Sequence, residues 1–416
     1  MKVYLEVYGC TANKSDASLV EGLLQEHHHE LVKDKDDADV LVLLTCTVIG
    51  TTEQRMLSRL REFKETGKQI IVTGCMASVQ AELIKSIVPD AKLLQPQHVY
   101  HIIDLLDDKK VSFTEKNKTL FSKHFNGLTA PISIAEGCLF SCSYCITSIA
   151  RGKLKSYPID EIVQDVHSAL GQGCKEIQLT AQDTGSYGLD TNHNLGELLT
   201  NVCKINGNYR IRVGMMNPYT ALKNLDTIIK GFDNSKIYKF LHLPVQSGDN
   251  DILHKMNRKY TVDDFIEITN RFRRQYPGIT LSTDIIVGFP GESEEQFERS
   301  VKLIKKVKPD IVNITRFSAR PMTKAKTMKG RIPTEIVKER SKRLTGVCSR
   351  TCLENNQKHI GKKYNTLVIK KGKKDTVVGR TENYRPVVIK EKVEPGMFIP
   401  TITTDATSNY LVGRII

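Results

Sequence analysis

The chain has 416 residues, 40% of them hydrophobic and 26% charged, with ten cysteines and a formal net charge of +14. Such a length suits two or three domains around sizeable cores, and ten thiols are too dilute for a disulfide-stapled scaffold. No run of about 18 apolar residues occurs and Met1-Lys2 leads straight into a strand pattern, so neither a membrane span nor a cleaved leader is expected.

Along the first 110 residues, short runs rich in Val, Leu and Ile (3–8, 39–45 and 69–73) alternate with stretches of helical spacing at 15–26 and 51–65. Ser15 and either Thr51 or Thr52 are the expected N-caps. Such βαβ alternation predicts a parallel sheet covered by helices. Residues 107–126 are polar, Lys-rich and aperiodic, and 111–130 reads as a linker. Strand patterns resume at 132–135, 176–180, 211–215, 239–243, 280–287 and 312–317. Helices are expected to begin near Pro158, Asn194, Thr220, Asp249, Thr261 and Ser293. Six βα units in series predict an open (βα)6 barrel, followed by a basic helix over 335–355. Short β-rich runs at 363–369, 376–380, 386–393 and 410–416 then predict a small β-barrel or sandwich. The domains are therefore drawn at 1–110, 131–357 and 358–416.

Position sorts the ten cysteines. Cys138, Cys142 and Cys145 form C-x3-C-x2-C just past the first barrel strand. Three thiolates on one loop hold three irons of a 4Fe-4S cluster and leave the fourth open to a small ligand. The alternative is a zinc knuckle, but zinc takes four protein ligands as a rule and no partner pair is in view. Cys10, Cys46 and Cys75 each follow a strand of the first domain. The carboxyl edge of a parallel sheet, where ligand crevices lie, would gather them into a second metal site. The alternative there is three buried structural thiols. Cys174 and Cys203 fall in apolar patterns and read as core. Cys348 and Cys352 share a helix face without a third ligand nearby in sequence, and His27-His28-His29 reads as a solvated turn.

The cysteine triads and several other stretches carry a resemblance. These are Tyr8-Gly-Cys-Thr-Ala-Asn13, Thr45-Cys-Thr47, Thr73-Gly-Cys-Met76, Glu136-Gly-Cys-Leu-Phe-Ser-Cys-Ser-Tyr-Cys145 and Ala150-Arg-Gly152. Later matches are Leu243-Pro-Val-Gln-Ser-Gly248, Asp284-Ile-Ile-Val-Gly-Phe-Pro-Gly-Glu292 and Phe317-Ser-Ala-Arg-Pro321. Together they resemble the radical S-adenosylmethionine (SAM) methylthiotransferases, over a three-cysteine domain, a radical SAM barrel and a C-terminal TRAM domain. Ala150-Arg-Gly-Lys-Leu-Lys-Ser-Tyr-Pro158, Leu179-Thr-Ala-Gln-Asp-Thr-Gly-Ser-Tyr-Gly188 and Arg212-Val-Gly-Met-Met-Asn-Pro218 are similar to the archaeal and eukaryotic branch, which modifies N6-threonylcarbamoyladenosine beside the tRNA anticodon. Pro321-Met-Thr323 departs from the family's frequent Pro-Gly-Thr.

The resemblance implies two 4Fe-4S clusters and SAM. Cys138, Cys142 and Cys145 would hold the cluster that reduces SAM to methionine and a 5′-deoxyadenosyl radical. Tyr144 would lie against the adenine, and Gln246, Ser247, Gly288 and Gly291 would contact SAM. Cys10, Cys46 and Cys75 would hold the cluster that carries the sulfur inserted at carbon 2 of the adenine. It also implies a cytoplasmic enzyme with an electron donor and a sulfur donor as partners, and no membrane.

Charge bears on the substrate. Residues 358–416 carry 12 Lys+Arg against 5 Asp+Glu, whereas residues 1–125 carry 16 against 18. Lys362, Lys363, Lys370, Lys371, Lys373 and Lys374 lie close together in that tail, as expected of a surface that neutralises phosphates. The expected function is therefore methylthiolation of threonylcarbamoyladenosine in tRNA. The alternatives are an isopentenyladenosine tRNA or a ribosomal-protein aspartate as substrate, or a non-catalytic iron-sulfur RNA-binding protein.

Overall fold

The structure, a computed structural model, describes the whole chain except Ile49, Ser112, Thr114, Glu115, Lys374 and the side chain of Thr51. It contains two compact units. The first comprises residues 1–173, 178–182 and 318–326; the second comprises 174–177, 183–317 and 327–416.

In the first unit a five-stranded parallel sheet runs in the order Glu30–Val32, Lys2–Val7, Val40–Thr45, Gln69–Gly74, Lys92–Leu94. Every residue of the central strand Val40–Thr45 is buried, as expected where helices cover both faces. Alternation divides its side chains. Val40, Val42 and Leu44 pack with Leu19, Val20, Leu23 and Leu24 of the helix Thr11–Glu26. Leu41 and Leu43 pack with Met56, Leu60 and Phe63 of the helix Gly50–Glu65. Each fully buried side chain of this size contributes about 1.5–3 kcal/mol.

Both expected caps are corrected. The first helix begins at Thr11 with Cys10 at its N-cap, so Ser15 lies inside it and is buried. The second begins at Gly50, which places Thr52 in its first turn; the Thr51 side chain, the other expected cap, lies outside the described residues. Segment 107–126 also differs from an exposed tether. Lys118 and Lys123 within it are buried and ion-paired, Lys118 to Asp16 and Glu136 and Lys123 to Asp165.

The barrel is an open (βα)6 arrangement whose strands pair as two three-stranded sheets. Its strands are Thr129–Ser133, Glu176–Thr180, Arg210–Val213, Phe240–His242, Thr280–Val287 and Ile311–Arg316. Within the second unit the last three pair in parallel in that order. Asn194, Asp249, Thr261 and Ser293 cap the helices that follow them, each accepting a backbone N–H three residues on. The chain then forms the long helix Thr334–Gln357.

The last residues close a five-stranded barrel, Lys363–Lys371, Val377–Arg380, Pro386–Ile389, Leu411–Ile415 and Phe398–Ala406 in neighbour order. Its core includes Val368, Val387, Ile389, Ile399 and Leu411. Phe398–Ala406 was not among the expected strands, because Pro400 and a run of threonines mask its alternation. The barrel is fixed to its own unit by polar and aromatic contacts. Arg385 Nη2 donates to Asp310 Oδ1 at 2.6 Å, and Tyr384 packs on Tyr238 and Phe240.

Candidate iron-sulfur and SAM site

In the first unit the parallel register places the three N-terminal cysteines at one edge. Val7 pairs with Leu44 and Thr45 with Gly74, so Cys10, Cys46 and Cys75 follow at neighbouring strand ends. A Cβ on Gly9 would stand 2.8 Å from the Cys46 Cβ. Asn13 closes the edge from the helix, donating from Nδ2 to the carbonyls of Tyr8 and Thr45 at 2.6 and 2.9 Å. Cys46 and Cys75 are buried and Cys10 is exposed. Burial pushes the Cys46 thiol up and the Cys75 thiol up to about 11, and the neighbouring cysteines add to both.

Two buried arginines oppose that shift. Arg151 acts on Cys46 and Cys75, and Arg320 on Cys46. Arg320 pairs with Glu53 and reaches Thr47 Oγ1 at 3.3 Å. Among the described residues the Nε of each arginine is buried without a hydrogen-bond partner. Three thiols at one sheet edge beside two buried arginines suit an anionic thiolate-bound group better than three neutral structural thiols.

Cys138, Cys142 and Cys145 lie on a half-buried loop after the short strand Ala135–Glu136. Backbone donors already face sulfur. Phe140 N–H points at Cys138 Sγ at 3.5 Å and Thr147 N–H at Cys145 Sγ at 3.4 Å. The loop turns at Gly137, whose φ of +72° and whose approach to the Lys153 carbonyl leave no room for a side chain; a Cβ would stand 1.9 Å from that oxygen. Cys138 N–H then donates to Gly152 O at 3.0 Å. Tyr144 is half-buried on the same loop. Among the described residues no three Cys, His, Asp or Glu side chains converge on a single metal ion. A three-cysteine loop with amide donors at sulfur fits a cluster, whose ligands are spread over several irons.

Sequence reasoning gave no role to the network beneath this loop. Arg151 donates to Glu136 Oε1, Asp16 Oδ2 and Asn13 Oδ1, each at 2.7 Å. Lys118 Nζ completes a ring with Asp16 Oδ1 at 2.6 Å and Glu136 Oε2 at 2.5 Å. The helix that starts after Cys10 is thereby tied to the strand that leads into Cys138. The partners lie up to 138 residues apart, so no local pattern announces them.

In the second unit Gln246 and Ser247 are buried after the strand Phe240–His242. Gln246 adopts φ +70° and bridges to Ile285. Gly288 N–H donates to Glu292 Oε2 at 2.9 Å, and Gly291 N–H to Gly330 O at 2.8 Å. Asp183 was also unremarked. Burial raises its carboxyl to about 6, although Asn217 N–H and Thr220 Oγ1 each donate to it at 2.8 Å. Lys362, Lys363, Lys370, Lys371 and Lys373 are all exposed, while Lys374 lies outside the described residues. Cys174, Cys203, Cys348 and Cys352 are buried, and burial pushes their thiols up to about 11 or 12. Among the described residues no helix is long and apolar enough to cross a membrane.

Residues 132–304 match the Radical SAM superfamily, 2–95 the Uncharacterized protein family UPF0004 and 357–416 the TRAM domain. The fold is also similar to a solved radical S-adenosylmethionine methyltransferase, TsrM, from Kitasatospora setae. That likeness has a TM-score of 0.52 at 13% identity and covers 78% of this chain and 76% of the other. The chain is thus a radical SAM protein with a TRAM tail, a class that implies a 4Fe-4S cluster and SAM. A relative from Pyrococcus horikoshii, named "Probable threonylcarbamoyladenosine tRNA methylthiotransferase", is 43% identical across 100% of both chains. A Drosophila melanogaster protein named "Threonylcarbamoyladenosine tRNA methylthiotransferase" is 32% identical over 100% of this chain and 78% of its own. The chain belongs to the threonylcarbamoyladenosine tRNA methylthiotransferase family.

Proposed function

We propose that this enzyme adds a methylthio group to carbon 2 of N6-threonylcarbamoyladenosine beside the anticodon of tRNA. The observation that carries the reading is end-to-end similarity to a relative of that name at 43% identity, in a chain that presents both thiol triads. Cys138, Cys142 and Cys145 hold the SAM-binding cluster, and Cys10, Cys46 and Cys75 hold a second one. When bound, these groups supply a radical that abstracts hydrogen and a source of sulfur.

The chain's own residues position and shield that chemistry. Tyr144 takes the SAM adenine, and Gln246, Ser247, Gly288 and Gly291 contact SAM through the second unit. Arg151 and Arg320 offset negative charge at the N-terminal triad. Lys362, Lys363, Lys370, Lys371 and Lys373 neutralise tRNA phosphates, as does Lys374. The sequence-drawn domains at 1–110, 131–357 and 358–416 divide these tasks. An electron donor and a sulfur donor act as partners in the cytoplasm.

Nucleoside mass analysis of tRNA from a deletion strain tests the reading. Loss of the 2-methylthio form of threonylcarbamoyladenosine, restored by the gene and not by a Cys142→Ala copy, is expected. An unchanged level would reject it. Loss confined to isopentenyladenosine, or to a ribosomal-protein aspartate, would move the enzyme to the corresponding alternative substrate.

A further inference from the structure

Within the first unit, a cavity of about 540 Å³ lies between the turn Pro96–His101 and residues 151–157. That size falls in the range of ligand pockets. Its lining is basic and aromatic, with Lys116, Lys153 and Lys155 beside His98, Tyr100 and Tyr157. Glu136, the one carboxylate in the lining among the described residues, is already held by Arg151 and Lys118. Lys116 and Lys153 have no carboxylate partner among the described residues. Phe113, 59% exposed, leans against His98 with ring centroids 4.9 Å apart.

The cavity is built onto the cluster loop. Its basic wall includes the strand Lys155–Ser156, which pairs antiparallel with Ala135–Glu136, two residues before Cys138. Gly152, in the same wall, accepts the Cys138 N–H. A ligand seated here therefore lies beside the loop that carries the SAM-cluster cysteines.

Unpaired RNA is recognised by cations on its phosphates and aromatic faces on its bases. The cavity presents both, and the Glu136 carboxylate in its lining is neutralised. We propose that it is an RNA subsite, which takes one unpaired nucleotide of the substrate strand with its phosphate on Lys116 and Lys153 and its base against His98 and Phe113. The inference rests on the tRNA reading above and deepens it.

The test is fluorescence anisotropy of a labelled tRNA anticodon stem-loop on the full-length, cluster-loaded protein across a salt series. Combining Lys116→Ser with Lys153→Ser should weaken binding about fivefold or more and flatten the log–log salt slope by about 1.4, two single-strand contacts' worth. Phe113→Ala should also weaken it about fivefold, and Phe113→Tyr should keep wild-type affinity. Iron content and circular dichroism of each variant report that folding is intact. Wild-type binding in either the double lysine variant or Phe113→Ala overturns the subsite. If Lys370, Lys371 and Lys373 changed to Ser then still weaken binding, the tRNA reading stands without it. If the wild-type protein does not bind the stem-loop at all, both readings fall.

Discussion

Arg151 and Glu136 are joined at 2.7 Å in a site where both side chains are almost wholly removed from water, with 1% and 8% of their surface exposed. Neither would be tolerated there alone. Burial pushes the Arg151 guanidinium toward losing its proton, and Asp16 and Glu136 more than reverse this. Arg151→Met should therefore cost about 3–5 kcal/mol of stability, because it strands two buried carboxylates on Lys118 alone. Arg151→Lys should recover only part, since one ammonium does not reproduce the fork that meets Glu136, Asp16 and Asn13. Urea denaturation measures both, and a loss under about 1 kcal/mol for the methionine variant would show that the ring is not a structural tie.

The same ring sets a pH dependence. Burial raises the Glu136 carboxyl, but Lys118 and Arg151 outweigh it and hold it down to about 2. A lowered carboxylate contributes stability that is complete above its ordinary range and disappears as pH falls toward the folded value. Wild type should thus exceed Glu136→Gln most at neutral pH, with the gap narrowing from about pH 4.5 downward. Paired urea titrations on iron-free protein check this. A gap that stays constant to about pH 3 would contradict it.

The two thiol triads should be separable by experiment. Reconstituted wild type should carry about eight irons, and Cys75→Ala and Cys142→Ala about four each. Cys142→Ala should form no 5′-deoxyadenosine from SAM. Cys75→Ala should still form it while losing the methylthio product. About four irons in wild type would remove the second cluster, and 5′-deoxyadenosine from Cys142→Ala would remove the assignment of the first.

Met322, the residue at which Pro321-Met-Thr323 departs from the expected Pro-Gly-Thr, adopts a left-handed backbone, φ +61°, and is 66% exposed. A residue other than glycine holds this conformation at a cost of about 1 kcal/mol. Thr323 Oγ1 holds the turn by donating to Arg320 O at 2.7 Å, which fixes the backbone that delivers Arg320 toward Cys46. Met322→Gly should raise stability by about 0.5–1 kcal/mol with activity unchanged. A lower thermal midpoint would mean that the methionine contacts something worth more than the strain.

What was legible in the chain was local. Asn194, Asp249, Thr261 and Ser293 announce helix starts because a short polar side chain that accepts an N–H three residues on leaves its mark within one turn. Residues 40–44 of the strand 40–45 are an unbroken apolar run because both its faces are covered. Cys10 and Ser15 reverse the expected cap because the strand end at Val7, not a hydroxyl, decides where the first helix begins. Lys118 falls in the segment read as a linker, since its partners Asp16 and Glu136 lie 102 and 18 residues away. Long-range ion pairs leave no period to read, and the strand holding Pro400 hid behind the one residue that strands usually avoid.

The C-terminal barrel cannot be removed without injuring the unit it sits on. Arg385 is buried and donates to both Asp310 and Asn356, Asn383 Nδ2 reaches Gly278 O at 3.1 Å, and Lys239 N–H reaches Glu382 O at 2.9 Å. Deleting 358–416 takes Arg385 from Asp310 and bares Tyr238 and Phe240, so lost tRNA binding would report lost structure as well as lost lysines. Arg385→Met should by itself cost about 3–5 kcal/mol. Changing the exposed Lys370, Lys371 and Lys373 to Ser should instead leave the thermal midpoint within about 1 °C of wild type, as surface changes do. It should weaken tRNA binding and flatten the salt slope by about 2 if all three meet phosphates. An unchanged slope would reject this face of the barrel as the RNA anchor.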